Sequence, residues 1–559
     1  MPEAMTQADT FWLCMDDPVN LMVITGFWEF REPLDYNRLF ATLEARLAAF
    51  PRFRKKVVMP RFGLGSPDWV TDPYYDLRSH LHRIALPAPG SQNELQDMIS
   101  SLKTTALDFN KPLWDIHLIE NYGSGCVLFF RLHHCIADGI ALMHVLHSMA
   151  DTAPDAPWPE PGSKKKPGRH RKSPLLSFDS LVGSAGSVIN SARGLVRTGK
   201  SLGKTVARET SKIYADPGTA KQWASLAVGL PTDVAAVLSR HLTMKADPNT
   251  AFKGKLGVQK RVAWTAPIPL DRIKELGHAI SSATLNDVLI ATVTGSMRRY
   301  LKTRNTPVNE LDLRVTVPVN IRKPGTEFEL GNKFSLVFLS LPVFLEDPVL
   351  RLKEVKRRMD KLKTSADPYV NFGLLSAIGF LPKALAQKAS QVFGNKASGV
   401  MTNVPGPKKP LYFAGREITN IMFWVPRSGA IGLGISILSY NGNVTIGIAS
   451  DQGLMPDPET FLEGFEEEFN FLIDLVRSGK IYEAPLVLHD RFAEAKAKPK
   501  VSSEEPGRCQ ATTAAGKQCR NAATHGDFCH IHREPDSPKR SGREHLLEDV
   551  QKIMKDLAD

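Results

Sequence analysis

Cysteine is scarce in this chain: six in 559 residues, too few for the disulfide framework of a secreted scaffold. Long apolar runs are missing as well. The longest nearly uncharged apolar stretch, Phe372 to Pro382, has 11 residues, against the ~18 or more that crossing a bilayer takes, so no membrane span is expected. The start Met1-Pro2-Glu3-Ala4-Met5 has neither a basic opening nor an apolar run; no secretory signal is expected there, and a cytoplasmic protein is. With 42% hydrophobic and 23% charged residues, the composition excludes general disorder and a fibrous repeat. The length corresponds to two to four folded units at ~100 to 200 residues each.

Acidic residues are nearly absent from one stretch. Between Lys164 and Lys212, twelve Lys and Arg side chains face only Asp179 and Glu209, while the formal charge of the whole chain is +12. The excess is therefore local, and it favours an anionic surface, either membrane headgroups or nucleic acid. Residues 151 to 176 combine Asp-Thr-Ala-Pro-Asp-Ala-Pro-Trp-Pro-Glu-Pro with Lys-Lys-Lys-Pro-Gly-Arg-His-Arg-Lys, a linker composition. After it, Leu181, Val188, Ile189, Leu195, Val196 and Leu202 outline a weak basic amphipathic helix. Two readings stay open for it: a helix lying on a membrane, or one packed on the protein with its charges in solvent.

Residues 1–150 alternate strand-like runs, such as Leu21 to Trp28 and Gly125 to Leu132, with helical spacing at Tyr36 to Phe50 and Asn93 to Ala106. Residues 151–257 read as a basic linker and helical crossover. Residues 258–484 repeat the α/β pattern, with strands expected at Leu313 to Val319, Phe334 to Leu341, Ile431 to Leu438 and Val444 to Ile448, and helices at Leu270 to Ile280 and Asn286 to Leu301. Residues 485–559 form a charged tail ending in an expected helix, His545 to Leu557. Two α/β halves joined by a long linker make a cleft, and clefts are where active sites form.

The sharpest motif is Arg131-Leu132-His133-His134-Cys135-Ile136-Ala137-Asp138-Gly139, between an apolar strand and the helical run Ile140 to Met149. A neutral imidazole at such a strand end can take a proton from an alcohol or amine while that group attacks a carbonyl, so acyl transfer needs no protein nucleophile. Asp138 can orient a histidine, pair with an arginine, or cap the helix that begins at Gly139. The alternative is a satisfied polar His pair followed by an N-cap.

The loop, together with Pro112-Leu113-Trp114-Asp115, Asn286-Asp287, Gly331-Asn332, Asn403-Val404-Pro405-Gly406-Pro407 and Ser439-Tyr440-Asn441-Gly442 followed by Asp451, resembles the bacterial wax ester synthase/diacylglycerol acyltransferases, within the CoA-dependent acyltransferases that share His-His-x-x-x-Asp-Gly. The resemblance spans roughly Ala8 to Ser478. It implies an α/β (α+β) fold of two chloramphenicol-acetyltransferase-like domains with the active-site channel between them. It also implies His134 as general base, His133 shaping the loop, Asp138 held by an arginine, and Asn286 and Gly139 near substrate. Acyl-CoA would be the co-substrate, with no cofactor for catalysis, and a lipid hydroxyl of diacylglycerol or a long-chain alcohol the acceptor, at a peripheral membrane or lipid-inclusion surface. Trp114 reads as a buried residue at the start of a strand, Asn403 to Pro407 as a rigid turn, and Phe11 to Leu13 with Pro18 to Met22 as either tunnel border or core.

Cys509, Cys519, Cys529 and His532 depart from that family pattern. Three thiolates and an imidazole are the set that closes a tetrahedral zinc shell, so a structural zinc module is expected within 505–535, with His525 and His530 as rival ligands. No aromatic or basic readout surface accompanies it, and nucleic acid is not expected as a partner. Two other functions fit the same sequence: the same fold acting on a polyketide or amine acceptor, and a silent lipid-binding or scaffold protein.

Overall fold

The computed structural model describes residues 2–60, 66–159, 244–280, 283–322, 330–363, 365, 367–378 and 383–479. The basic stretch from Lys164 to Lys212, the zinc set Cys509, Cys519, Cys529 and His532, and the expected terminal helix lie outside the described residues. Among those described, no helix is long and apolar enough to cross a membrane.

Two sheets organise the described residues. The first has five strands in the order Asn420–Trp424, Val23–Phe30, Gly125–His133, Trp114–Tyr122 and Leu81–Ala85. All its pairings are antiparallel except the last. The second runs Phe334–Leu341, Leu313–Asn320, Gly399–Pro405, Leu433–Tyr440, Asn443–Asp451 and Lys260–Trp264, with Ile268–Pro269 also on Asn443–Asp451. Its register pairs Gly399–Pro405 in parallel with its neighbours on both sides.

Every residue of Gly125–His133 is buried. Both faces of this strand are covered, which is why its sequence is a near-continuous apolar run without polar alternation. One face packs into a core built on Trp28, Trp114 and Phe130. The other meets Phe27, Phe129, Trp264, Met422 and Trp424, a cluster that draws side chains from both sheets.

The edge strand Asn420–Trp424 comes from late in the chain and pairs with Val23–Phe30, Phe423 opposite Gly26. A Cβ on Gly26 would stand 2.8 Å from the Met422 carbonyl oxygen, so glycine is what lets the two backbones close. The hairpin between Leu433–Tyr440 and Asn443–Asp451 turns at Asn441 (φ 46°) and Gly442 (φ 78°). Both central residues in the left-handed region make the turn type whose twist matches the strands, and Asn-Gly is its preferred sequence.

Most expected elements fall within a few residues of those found, including Phe334–Leu341, Leu270–Ala279, Leu285–Thr303 and Gly139–Met149. Two differ. Helix Tyr36–Thr42 passes into a π-turn at Leu43–Leu47. Asn403 to Pro405, expected in a rigid turn, instead end strand Gly399–Pro405. Proline is tolerated there because it is the last residue of the pairing, and the turn begins at Gly406, whose N–H donates to the Ser439 carbonyl at 2.9 Å.

Candidate active site

The His133–Gly139 loop is held first by its backbone. Where strand Gly125–His133 ends, the His133 N–H donates to the Leu113 carbonyl at 3.0 Å and the His134 N–H to the Met22 carbonyl at 2.7 Å. The loop is thus tied to both neighbouring strands. Leu113 belongs to the Pro112-Leu113-Trp114-Asp115 segment. Trp114 in that segment is buried and its indole N–H donates to the Phe53 carbonyl at 2.9 Å, while Asp115 pairs with Arg131 at 3.3 Å. These contacts give the segment a structural part.

His133 turns inward. Its Nδ1 accepts the Cys135 N–H at 3.1 Å, and its Nε2 lies 3.6 Å from the Asp16 carboxylate. A ring that accepts at Nδ1 carries its proton on Nε2, so His133 spends Nδ1 on the loop, while Nε2 stays just beyond hydrogen-bond reach of the Asp16 carboxylate.

His134 is arranged differently. Its ring stacks on Trp12 at 4.2 Å between centroids with 16° between planes, and Phe334 lies 5.5 Å from each of the two. Such ring contacts contribute ~0.5 to 1.5 kcal/mol each and fix the imidazole plane. Burial pushes its pKa down from 6.5 to about 4, so the ring is neutral at pH 7. Nδ1 is buried without a partner in hydrogen-bond geometry. Cys135, next in the chain, is fully buried, and burial raises its thiol well above the ordinary range, which removes it as a nucleophile.

The Asp138 carboxylate is taken up by the backbone and by Arg322. Oδ1 accepts the Ala141 N–H at 3.0 Å, capping helix Gly139–Met149. Oδ2 takes the Lys333 N–H at 2.9 Å and an ion pair with Arg322, whose second nitrogen donates to the Gly331 carbonyl at 2.7 Å. Beside it, Gly139 opens on space: a Cβ built there meets nothing within 4 Å.

Asn332 is the clasp between chain segments. Its Nδ2 donates to the His134 carbonyl and to Asp9 Oδ1, each at 2.8 Å, and its N–H donates to the same oxygen at 2.9 Å. Asp9 is fully buried on helix Gln7–Cys14, and desolvation raises its pKa.

His133, His134, Asp138 and Gly139 are thus brought together with Trp12, Arg322, Asn332 and Phe334. The side-chain carbonyl oxygen of Asn286 accepts from Asn403 Nδ2, and none of its described hydrogen bonds reaches the His134 loop. Asp287 closes a capping box with Thr284 at the start of Leu285–Thr303, a structural duty. Asp9, Arg322 and Phe334 were not singled out in the sequence as site residues, and Gly331-Asn332 was noted only as a motif. An isolated arginine or aspartate carries no local signal of a partner far along the chain. Among the described residues no group of His, Cys, Asp and Glu is placed to hold a metal ion.

With this geometry in view, comparisons with known proteins add the following. The profile described as wax ester synthase/diacylglycerol acyltransferase catalytic domain matches residues 5–289, and the WS/DGAT C-terminal domain matches 330–472. A Mycobacterium tuberculosis protein named "Probable diacyglycerol O-acyltransferase tgs1" is 27% identical over 455 residues, 80% of this chain and 90% of its own length. The solved wax ester synthase/diacylglycerol acyltransferase of Marinobacter aquaeolei VT8 superposes with a TM-score of 0.58 at 21% identity, over 85% of this chain and 99% of that one. The first condensation domain of the calcium-dependent antibiotic synthetase superposes at 0.51 with 16% identity, over 85% and 96%. These likenesses show a shared mixed α/β fold.

Proposed function

This chain belongs to the wax ester synthase/diacylglycerol acyltransferase family and is an acyltransferase, and we propose that it moves a fatty acyl group from acyl-CoA to the hydroxyl of diacylglycerol or of a long-chain alcohol. The observation that carries the reading is the His134 ring: neutral, stacked on Trp12, and clasped at its backbone by Asn332. In this reading His134 takes the acceptor's hydroxyl proton as the oxygen attacks the thioester carbonyl. The tetrahedral intermediate then collapses, the C–S bond breaks, and the imidazolium returns its proton to the departing thiolate. Burial makes His134 a weak base, but its positive charge arises beside the oxyanion formed in the same step, and each offsets the other's desolvation. His133 and Asp138 act as positioning residues, Gly139 leaves room for substrate, and Asn286 would support the site by a hydrogen bond to the acceptor or the oxyanion. The two sheets would stand for two chloramphenicol-acetyltransferase-like domains, residues 1–150 and 258–484, with a channel between them.

His134→Ala tests the assignment. It should fold normally and lose ~100 to 10,000-fold in turnover, the worth of a positioned general base. Ester formation at near wild-type rate would end the assignment. Chromatography of products from diacylglycerol and long-chain alcohols offered side by side decides the acceptor. Membrane attachment through Lys164 to Lys212, and one zinc on Cys509, Cys519, Cys529 and His532, complete the proposal from sequence. Sedimentation with anionic and neutral vesicles tests the first, and metal analysis of the full chain the second.

A further inference from the structure

A shallow recess, partly open to solvent, lies where the lead-in to strand Val23–Phe30 meets the end of helix Gln92–Lys103, the start of strand Lys260–Trp264 and the residues after Asn420–Trp424. Its walls carry three cations, Lys103, Lys260 and Arg427, beside apolar Leu21 and Val425. Of the three, Lys260 has a carboxylate partner, Asp451 Oδ2 at 2.7 Å. That aspartate is itself buried and also accepts the N–H groups of Gly257 and Gly453. Lys103 donates to the neutral Thr25 hydroxyl at 2.9 Å. Arg427 is buried and donates to the carbonyls of Gly432, Ala449 and Ser450. Among the described residues no carboxylate lies within 4 Å of Lys103 or Arg427. Asp17 is the other acid whose field reaches Lys260, and Arg131, already paired with Asp115, adds to the positive field at Lys103.

Gathering like charges in a partly desolvated recess is costly, and nothing in the fold requires it: Lys103 ends a helix and a neutral side chain would serve there. Burial comes first and the neighbouring cations second in pushing Lys103 well below the ordinary lysine range; burial lowers Arg427 to about 10 against the opposing field of Asp451. Such a cluster is relieved by an anion. The recess is also close to the reacting group along the chain. Leu21 of its wall is followed by Met22, whose carbonyl accepts the His134 N–H.

We propose that this recess receives the phosphate groups of the acyl-CoA donor, with Lys103, Lys260 and Arg427 as their counter-charges and Leu21 leading the thioester toward His134. The inference rests on the acyl-CoA reading above. A phospholipid headgroup or free phosphate shares the same chemistry, and the test separates them.

Lys103→Gln is the informative variant, since it removes a charge whose hydrogen bond is to Thr25 alone among the described residues, and Lys103→Arg is its conservative control. Calorimetric titration of the full chain with desulfo-CoA should weaken about 10-fold or more in Lys103→Gln, the effect of one lost charge-assisted contact, and recover in Lys103→Arg. In turnover, Lys103→Gln should raise KM for octanoyl-CoA while leaving octanoyl-pantetheine, which lacks the phosphates, unchanged. Equal desulfo-CoA affinity in wild type and Lys103→Gln would overturn the proposal. So would a Lys103 effect confined to phosphatidylglycerol vesicles or to inorganic phosphate. Lys103-dependent desulfo-CoA binding without ester formation would leave the recess standing and remove the esterification reading, whereas ester formation indifferent to Lys103 would do the reverse.

Discussion

Replacing Asp138 separates structural from chemical duty at the loop. In the native site Asp138 is 3% exposed and serves three partners at once, the helix cap at Ala141 through Oδ1 and the Arg322 and Lys333 groups through Oδ2. Asp138→Asn keeps an oxygen for the cap and removes the charge that faces a guanidinium whose own side chain is fully buried. Breaking a buried ion pair by removing one partner costs about 3 to 5 kcal/mol, because the remaining charge loses compensation it cannot regain from water. Asp138→Ala also deletes the cap, about 1 kcal/mol more. The two losses share one residue, so their sum is an upper bound. Urea unfolding midpoints of wild type, Asp138→Asn and Asp138→Ala should therefore fall in that order, most of the loss already present in Asn. Activity should decline in step with the folded fraction, and the folded remainder should turn over within about 10-fold of wild type, the margin left by a role outside the proton transfer itself. Wild-type unfolding combined with complete inactivity in Asp138→Asn would refute the reasoning and give the carboxylate a direct part in the chemistry.

The other predictions concern the neighbours of that carboxylate. Because burial lowers the His134 pKa to about 4, kcat/KM should hold level as pH falls through 6.5 and drop only on approaching about 4; an inflection near 6.5 would contradict the burial argument. In the same window the unfolded chain binds a proton that the folded ring refuses, so stability is lost as pH falls from about 6.5 to 4, by about 3 kcal/mol, with no contribution above 6.5; His134→Phe should flatten that part of the urea-midpoint profile. Gly139→Ala adds a methyl that meets no protein atom within 4 Å at a helix start, so it should leave melting unchanged or slightly raised while lowering kcat/KM if the space is the substrate's; unchanged kinetics would show that the space is not. Asn332→Ala releases the His134 carbonyl and Asp9 together and should cut kcat by about 100-fold through misplacement of the imidazole with KM little changed; a change in KM alone would deny it a positioning role.

Local structure was largely legible in the sequence, because it is written in short-range patterns. The fully buried strand Gly125–His133 announces itself as an apolar run, Asn441-Gly442 as a hairpin turn, and Asp138 before Gly139 as a cap. The motif likewise marked His133, His134 and Asp138 as one loop. The failures have a common cause. Asn403 to Pro405 carry turn residues yet lie in a strand, since the parallel partner Leu433–Tyr440 supplies the ladder and the proline falls at its end. Lys103 reads as an ordinary solvated helix terminus until Lys260 and Arg427 are seen beside it. Arg322 and Asn332 touch residues 184 and 198 positions away, and no window of sequence contains both partners.

Those long-range contacts bear on how the reaction is organised. The loop that carries His134 belongs to the first sheet, but three of its fixings come from residues after 320: the Asn332 amide on the His134 carbonyl, Arg322 on Asp138, and Phe334 against the imidazole stack. The first sheet in turn takes its edge strand from Asn420–Trp424. A strand left at that edge would expose unpaired N–H and C=O groups along Val23–Phe30, the same segment that leads out of the cationic recess. Residues after 320 therefore complete the first sheet's backbone pairing and the charge balance of its loop. The orientation of the imidazole then depends on those late contacts being made, as an acyl transfer requires if the thioester and the hydroxyl are to meet at one ring while water is kept from the same carbonyl.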